Sequence, residues 1–401
     1  MTVKIDVSKN VLKSALADVM KSIGYASNIP IITTVLVSIE GQQLRLATTD
    51  LSMTSIKWIP LASMAFEQAA IAIPGKVFTD LVTIAPAGEI SLEIDTKTQE
   101  VEISVGGTFK NKLKCLDAKE FPPLPVKPDH TTTVLPAGAW KTIAERVAVS
   151  AHSKEDGRPV LTGVSLEFEK ESFRAVATDG FRLSVQEFND VKPGVDTKVL
   201  VPASSFIKAA PALGDENAVQ ILSDSGRLIA FTEDSLVAFQ LIEGHFPDWK
   251  AIIPASFKNK NVVSTAELEQ ATKQALVIAR SSNQKFAISY AAAGNALIVI
   301  GDDEAGSKCE ANMPSETAAN TFFTLNGVFV LQALVATKDA KKLIIRSNNS
   351  NTPVQVSSEE VPGYTGILMP MSQGVANDQE KADELKALAL QASVAMGMDP
   401  A

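Results

Sequence analysis

Apolar and polar residues alternate along the chain with two periods, and the order in which those periods change outlines the architecture. "VKIDVS" alternates residue by residue, as a half-buried strand does, and "SKNVLKSALADVMKSI" then places its apolar residues at helical spacing. Alternating runs follow, then a second helical stretch, "PGKVFTDLV" from Pro74, then more alternation. The succession returns with "TTTVLP" and "AGAWKTIAERVAVSAHS", and again with "STAELEQATKQALVIARS". "PASSFIKAA" at Pro202 and "NGVFVLQALV" at Asn326 match the second helix. "LRLATTDLSMT" at Leu44, "FRAVATDGFRLSV" at Phe173 and "LIVIGDDEAGSKCE" at Leu297 match one another, as "FPPLP" at Phe121 matches "FPDWKAIIP" at Phe246. Landmarks kept in one order about 125 residues apart predict three copies of one α+β domain, strands predominating, with two helices each. The copies fall at 1–129, 130–254 and 255–371, with an extension over 372–401. Ser8, and Ser264 or Thr265, are the expected N-caps of first helices.

Composition narrows the class. The 401 residues are 45% apolar and 21% charged, which supports sizeable cores. "MTVKIDVSKNVLKSAL" lacks the apolar run of a signal peptide, and no stretch is long enough to span a bilayer. Cys115 and Cys309 fit neither a disulfide framework nor a zinc pattern, so the expectation is a cytoplasmic protein. A net charge of −9 argues against a generally sticky nucleic-acid binder but leaves room for a local basic surface. Lys9, Lys13, Lys141, Arg146, Lys154, Arg158 and Lys273 gather along the first helices, and Lys76, Lys208 and Lys338 along the second. On one helix this is an ordinary solvated face, and acids such as Asp18, Glu145 and Glu269 interrupt it. Recurrence in three copies predicts a shared basic lining that meets phosphates without reading bases.

Catalysis finds little support. "VATDGFRLS" offers Asp179 and Arg182 as acid and electrophile, yet Asp-Gly between alternating runs is first a hairpin signal. The three histidines, His130, His152 and His245, have no metal-ligand spacing. "GDDEAGS" reads as a charged hairpin, lacking the spacing of a calcium loop. There is no phosphate loop and no nucleophile elbow, and capping explains Ser204 and Ser205 at a helix start. No nucleophile has a plausible base, so we expect no enzyme, exonuclease chemistry included, and no metal or cofactor.

With repeat, helices and turn in hand, the sequence resembles the bacterial DNA polymerase III beta sliding clamps over about residues 1–371. The resemblance rests on "VATDGFRLS", "GHFPDWKAIIP" and the terminal "GILMPM", with "PGKVFTDLV" and "AKEFPPLP" in support. It implies a processivity factor for DNA replication, in which a head-to-tail homodimer forms a six-domain ring around duplex DNA. Strands lie outside and helices line the hole. It further implies a shallow pocket for short peptides of the polymerase, clamp loader and repair proteins. Carried over by motif, that pocket comprises Leu161, Thr178, Gly180, Phe181, Arg182, Leu183, Pro247 and Ile252, with Ile367, Met369, Pro370 and Met371 from the last strand. Arg182 would offer donors at its rim. The alternative is a clamp-like protein that recruits partners without encircling DNA.

Two departures stand out. At the protomer interface the family sets apolar residues, whereas "GGTFKNKLKC" keeps only Phe109 and Leu113, and the facing "VIARSSNQKF" offers Arg280 and two serines, so weaker closure is expected. The family also ends near its MPM segment. In the extension, Leu385, Leu388, Ala392 and Ala395 form one helical stripe. It reads either as a partly formed helix on a flexible tether or as a segment that docks on its own clamp, with "QASVA" competing for the pocket. On the second reading, truncation after Met371 leaves folding intact and tightens peptide binding.

Overall fold

The computed structural model describes residues 2–24, 28–62, 68–153, 157–224, 226–283, 286–317, 320–371 and 375–398. The element order repeats three times. The first pass is β1 (Thr2–Ser8), α1 (Lys9–Val19), β2 (Thr34–Glu40), β3 (Gln43–Thr49), β4 (Met53–Pro60), β5 (Ala69–Pro74), α2 (Gly75–Ile84), β6 (Glu89–Asp95), β7 (Glu100–Val105) and β8 (Phe109–Lys114). The second is β9 (Thr133–Leu135), α3 (Ala139–Arg146), β10 (Gly163–Glu169), β11 (Ser172–Thr178), β12 (Arg182–Phe188), β13 (Thr197–Pro202), α4 (Ala203–Leu213), β14 (Val219–Asp224), β15 (Arg227–Phe231) and β16 (Ser235–Gln240). The third is β17 (Asn259–Ser264), α5 (Thr265–Ala279), β18 (Ala287–Ala293), β19 (Ala296–Asp302), β20 (Lys308–Pro314), the short β21 (Glu316–Thr317), β22 (Thr321–Asn326), α6 (Gly327–Ala336), β23 (Lys342–Ser347), β24 (Val354–Ser357) and β25 (Tyr364–Leu368). A final helix, α7 (Val375–Ala395), comes last.

Two compact units result: Met1–Thr142 with Glu169–Glu171 and Val191–Glu243, and Ile143–Phe168 with Ser172–Asp190 and Gly244–Ala401. The first holds a four-stranded sheet, β1-β6-β7-β8, and an eight-stranded sheet, β5-β2-β3-β4-β16-β15-β14-β9. The second holds the continuous run β10-β11-β12-β25-β24-β23-β17-β21 and a four-stranded sheet, β20-β19-β18-β22. The pairings are antiparallel, so strands adjacent in sequence need only a short turn between them.

Local chemistry explains the elements. Val3, Ile5 and Val7 alternate inward along β1, and Leu12, Ala15, Leu16 and Val19 bury the inner stripe of α1. Ser264 caps α5 by accepting from the Glu267 amide at 3.4 Å, as expected; Ser8 makes no side-chain cap. The second helices open on a small residue for a steric reason. A Cβ at Gly75 would come within 2.3 Å of Ile23 Cδ1, and one at Gly327 within 2.3 Å of Ile288 Cδ1; Ala203 fills the matching place in α4. In the first unit Trp140 stacks on Phe206 with centroids 4.0 Å apart. "GDDEAGS" is indeed a hairpin, with Asp303 accepting from the Ala305 and Ser307 amides at 3.0 and 2.8 Å.

The extension docks on its own chain, as the second reading expected, but away from the pocket. α7 is continuous and docked, burying Ala382, Leu385, Ala389 and Ala392, with Leu388 and Met396 beside them, on Ala291, Ala293, Ala296, Ile298, Ile300 and Phe322. Ala395 of the expected stripe is exposed. The stripe is therefore neither a tether nor a pocket competitor, and truncation after Met371 would bare an apolar sheet face.

Candidate peptide groove and basic helices

The turn between β11 and β12 is built by its own side chains. The Thr178 hydroxyl donates to the Arg182 carbonyl at 2.6 Å and accepts from the Gly180 amide at 3.1 Å. Asp179 Oδ1 accepts from the Phe181 and Arg182 amides at 2.9 and 3.0 Å. This geometry sets Gly180 at φ +91°, a conformation that costs glycine little. Phe181 is thrust outward, 65% exposed.

Arg182 does not offer donors at a rim, contrary to expectation. It is 9% exposed; Nε donates to Asp179 Oδ2 at 3.0 Å and Nη2 to the Val149 carbonyl at 2.7 Å. Its guanidinium lies 4.4 Å from the Phe329 ring centroid, and Nη1 is buried without a hydrogen-bond partner. Burial pulls its pKa down and Asp179 opposes the shift. The residue buttresses the turn from beneath.

Under and beside the turn lies an apolar cluster of Val176, Leu183, Val185, Trp249 and Ile367, flanked by Phe246 and Ile253. Leu183 and Ile367 are direct cross-strand partners, and the Trp249 indole donates to Glu167 Oε1 at 3.1 Å. Thr178, Leu183 and Ile367 are thus buried support rather than lining. Leu161 is buried in a separate helical turn, Pro159–Thr162. The exposed apolar surface comes from Phe181, Pro247 and Ile252, with Met369, Pro370 and Met371 half-buried. The Met369 amide donates to the Phe181 carbonyl at 2.9 Å and the Met371 amide to the Thr324 carbonyl at 2.8 Å. Trp249, Phe246 and Phe329 are parts that the motif reading passed over, although "FPDWKAIIP" already displayed the first two. Such a surface suits apolar side chains of an extended peptide.

The first repeat carries the same turn. Thr49 donates to the Met53 carbonyl at 3.0 Å, and Asp50 accepts from the Ser52 and Met53 amides at 3.0 and 2.8 Å. Leu51 stands where the other turn has Gly180, at φ +74°.

The basic residues divide into two groups. Lys9 donates to the Ala85 carbonyl at the end of α2, where a helix dipole favours a cation, and is engaged internally. Lys141 pairs with Asp215, Arg146 with Asp339 at 3.4 Å, Lys273 with Glu269 at 2.5 Å and Lys338 with Glu145 at 2.9 Å. All four were expected to face phosphates, and each has an acidic partner within the chain. Lys13, Lys76 and Lys208 are exposed and have no ion pair among the described residues. Arg158 lies beside the peptide turn, its Nη1 3.7 Å from where a Gly180 Cβ would stand. Lys154 falls outside the described residues.

Two sheet edges bear on assembly. Along β8, Phe109 and Leu113 lean on the core of their own unit. Lys112 and Lys114 clasp Glu100, each at 2.6 Å, and hold its carboxyl down at about 2; Lys110 meets Glu102 at 2.8 Å. Arg280 is exposed at the end of α5, and Ser282 donates to Glu304 at 3.1 Å. β8 and β20 each end a four-stranded sheet.

Comparison with known proteins supplies the context. Residues 3–125 match the family model "DNA polymerase III beta subunit, N-terminal domain", and residues 134–248 that of the central domain. The chain is 28% identical over 386 residues to the beta sliding clamp of Streptomyces coelicolor, covering 92% of this chain and 99% of that protein. It is 26% identical over 375 residues to the beta sliding clamp of Bacillus subtilis, covering 88% and 98%. Among solved structures, the Pseudomonas aeruginosa sliding clamp bound to griselimycin superposes with a TM-score of 0.85 at 21% identity, covering 93% of this chain and all of that one (100%).

Proposed function

The chain belongs to the DNA polymerase III beta-subunit family, and from that premise we propose that it is a sliding clamp, a processivity factor that encircles duplex DNA. Two copies close head to tail, each contributing domains at 1–129, 130–254 and 255–371. The ring holds polymerase, clamp loader and repair proteins through the groove around Phe181, Ile252 and Met369–Met371. It acts by enclosure and tethering, without a catalytic step, and works in the cytoplasm, where chromosomal DNA is.

One observation carries the ring. At the first repeat boundary β4 pairs with β16, and at the second β12 pairs with β25. In repeat position β20 corresponds to β4 and β12, and β8 to β16 and β25. A third junction of the same kind therefore joins β20 of one copy to β8 of another, and repeating it closes a homodimer. Enclosure lets weak phosphate contacts suffice, so Lys13, Lys76 and Lys208 hold the duplex without arresting it.

The test is topological. Clamp loaded onto nicked circular DNA should stay bound through gel filtration at moderate salt and leave after the circle is cut once. Equal retention on circular and linear DNA contradicts encirclement and leaves a partner-recruiting protein that binds DNA from the side.

A further inference from the structure

We propose that α7 is a positioning element of the peptide groove: docked on the sheet of the third repeat, it holds the Met369–Met371 wall in place. This deepens the groove reading and rests on it.

The repeat shows what α7 replaces. In the first repeat the outer sheet face around Leu36, Ala47, Ile56 and Ala72 is covered by the segment after β8, through Leu116, Phe121 and Leu124. In the second, Val176, Leu183 and Val185 are covered by the segment after β16, through Phe246, Trp249 and Ile253. In the third, the corresponding face is covered by α7, the element after β25. The sheet is adapted to this cover. β18, "AISYAAA", is buried along its whole length, and small residues on both partners let helix and sheet approach closely.

Polar contacts hold the helix at Lys381, in its second turn, and at Ser393, near its C-terminal end. Lys381 Nζ lies 2.8 Å from Asp302 Oδ2, and Ser393 Oγ accepts from the Asn295 amide at 3.1 Å. Only three residues separate Met371 from the first residue of α7. The Met371 amide donates to Thr324 on β22, the strand that also gives Phe322 to the helix's docking face, and the Met369 amide donates to Phe181 in the turn. The wall is thus stitched to the turn at one end and, three residues before the docked helix, to the strand that the helix covers at the other. A chain ending at Met371 would fray there, and ordering it on peptide binding would cost affinity.

The test uses the full chain, hydrogen exchange and titration with a fluorescent polymerase-derived clamp-binding peptide. Leu385→Asp with Ala389→Asp undocks α7 without touching a groove residue. Exchange over 369–371 should rise roughly tenfold or more and peptide affinity fall about three- to tenfold, while exchange over 173–188 stays unchanged. A second variant inserts six Gly/Ser residues between Met371 and Val375, so that α7 stays docked while its covalent tie to the wall is lengthened. It should keep α7 protected and still loosen 369–371. Unchanged exchange and affinity at the wall, in either variant, overturn the proposal. A parent chain that does not bind the peptide overturns the groove reading, whereas exchange over 369–371 in the two variants decides the anchor by itself.

Discussion

Asp179 and Arg182 are three residues apart, and their neighbourhood decides what they do. The side chains are 11% and 9% exposed, and their contact at 3.0 Å is shielded from water. Removing one member of such a pair strands the other charge, at a cost of about 3–5 kcal/mol, whereas replacing both with neutral groups of similar shape costs much less. Arg182→Ala should therefore destabilise strongly in urea titration. Asp179→Asn with Arg182→Met, which keeps the Oδ1 acceptor for the turn amides, should recover most of the loss. A double variant as unstable as Arg182→Ala would mean that the cation's stacking on Phe329 dominates instead. The turn itself was legible in "ATDGF", because Asp-Gly chemistry is local. The burial of Arg182 was not, because Val149 and Phe329 reach it from distant parts of the chain.

At the scale of elements, helical faces were legible but their free charge was not. Lys273 pairs with Glu269 four residues earlier, a spacing visible in sequence. The partners of Lys141, Arg146 and Lys338 are Asp215, Asp339 and Glu145, and sequence does not bring these together. Neutralising Lys13, Lys76 and Lys208 to Gln should weaken DNA binding without sequence preference. The slope of log K against log salt should become shallower by roughly 0.9 for each phosphate no longer neutralised. Neutralising Lys141, Lys273 and Lys338 should change the slope less, since their acids already offset them. The reverse ranking would assign the phosphate contacts to the paired set. The α7 stripe was half legible. Leu385 and Ala392 were identified, but the docking face was not, because Ala-rich "AISYAAAGNALIVI" gives no outward sign that a helix covers it.

For the whole molecule, threefold repetition was the most legible property, since each copy must solve the same packing problem with the same element order and with small residues at matching places. Closure depends on two strand edges that no single chain displays as a contact. The registers nevertheless fix how they should meet. Ser55 faces Val237 at one junction and Ser184 faces Gly366 at the other. Traced through the hairpin registers, the matching positions on β20 and β8 are Cys309 and Asn111. Antiparallel partners stand about 4.5–5.5 Å apart at Cα, within reach of a disulfide. Burial pushes the Cys115 thiol up to about 12, so it does not compete. The decisive measurement is oxidation of the Asn111→Cys chain, followed by non-reducing electrophoresis. The head-to-tail ring predicts a covalent dimer that disappears when Cys309→Ser is added and that, loaded before oxidation, stays on circular DNA in denaturant. A chain that remains monomeric under oxidation, or cross-links just as well without Cys309, would contradict it.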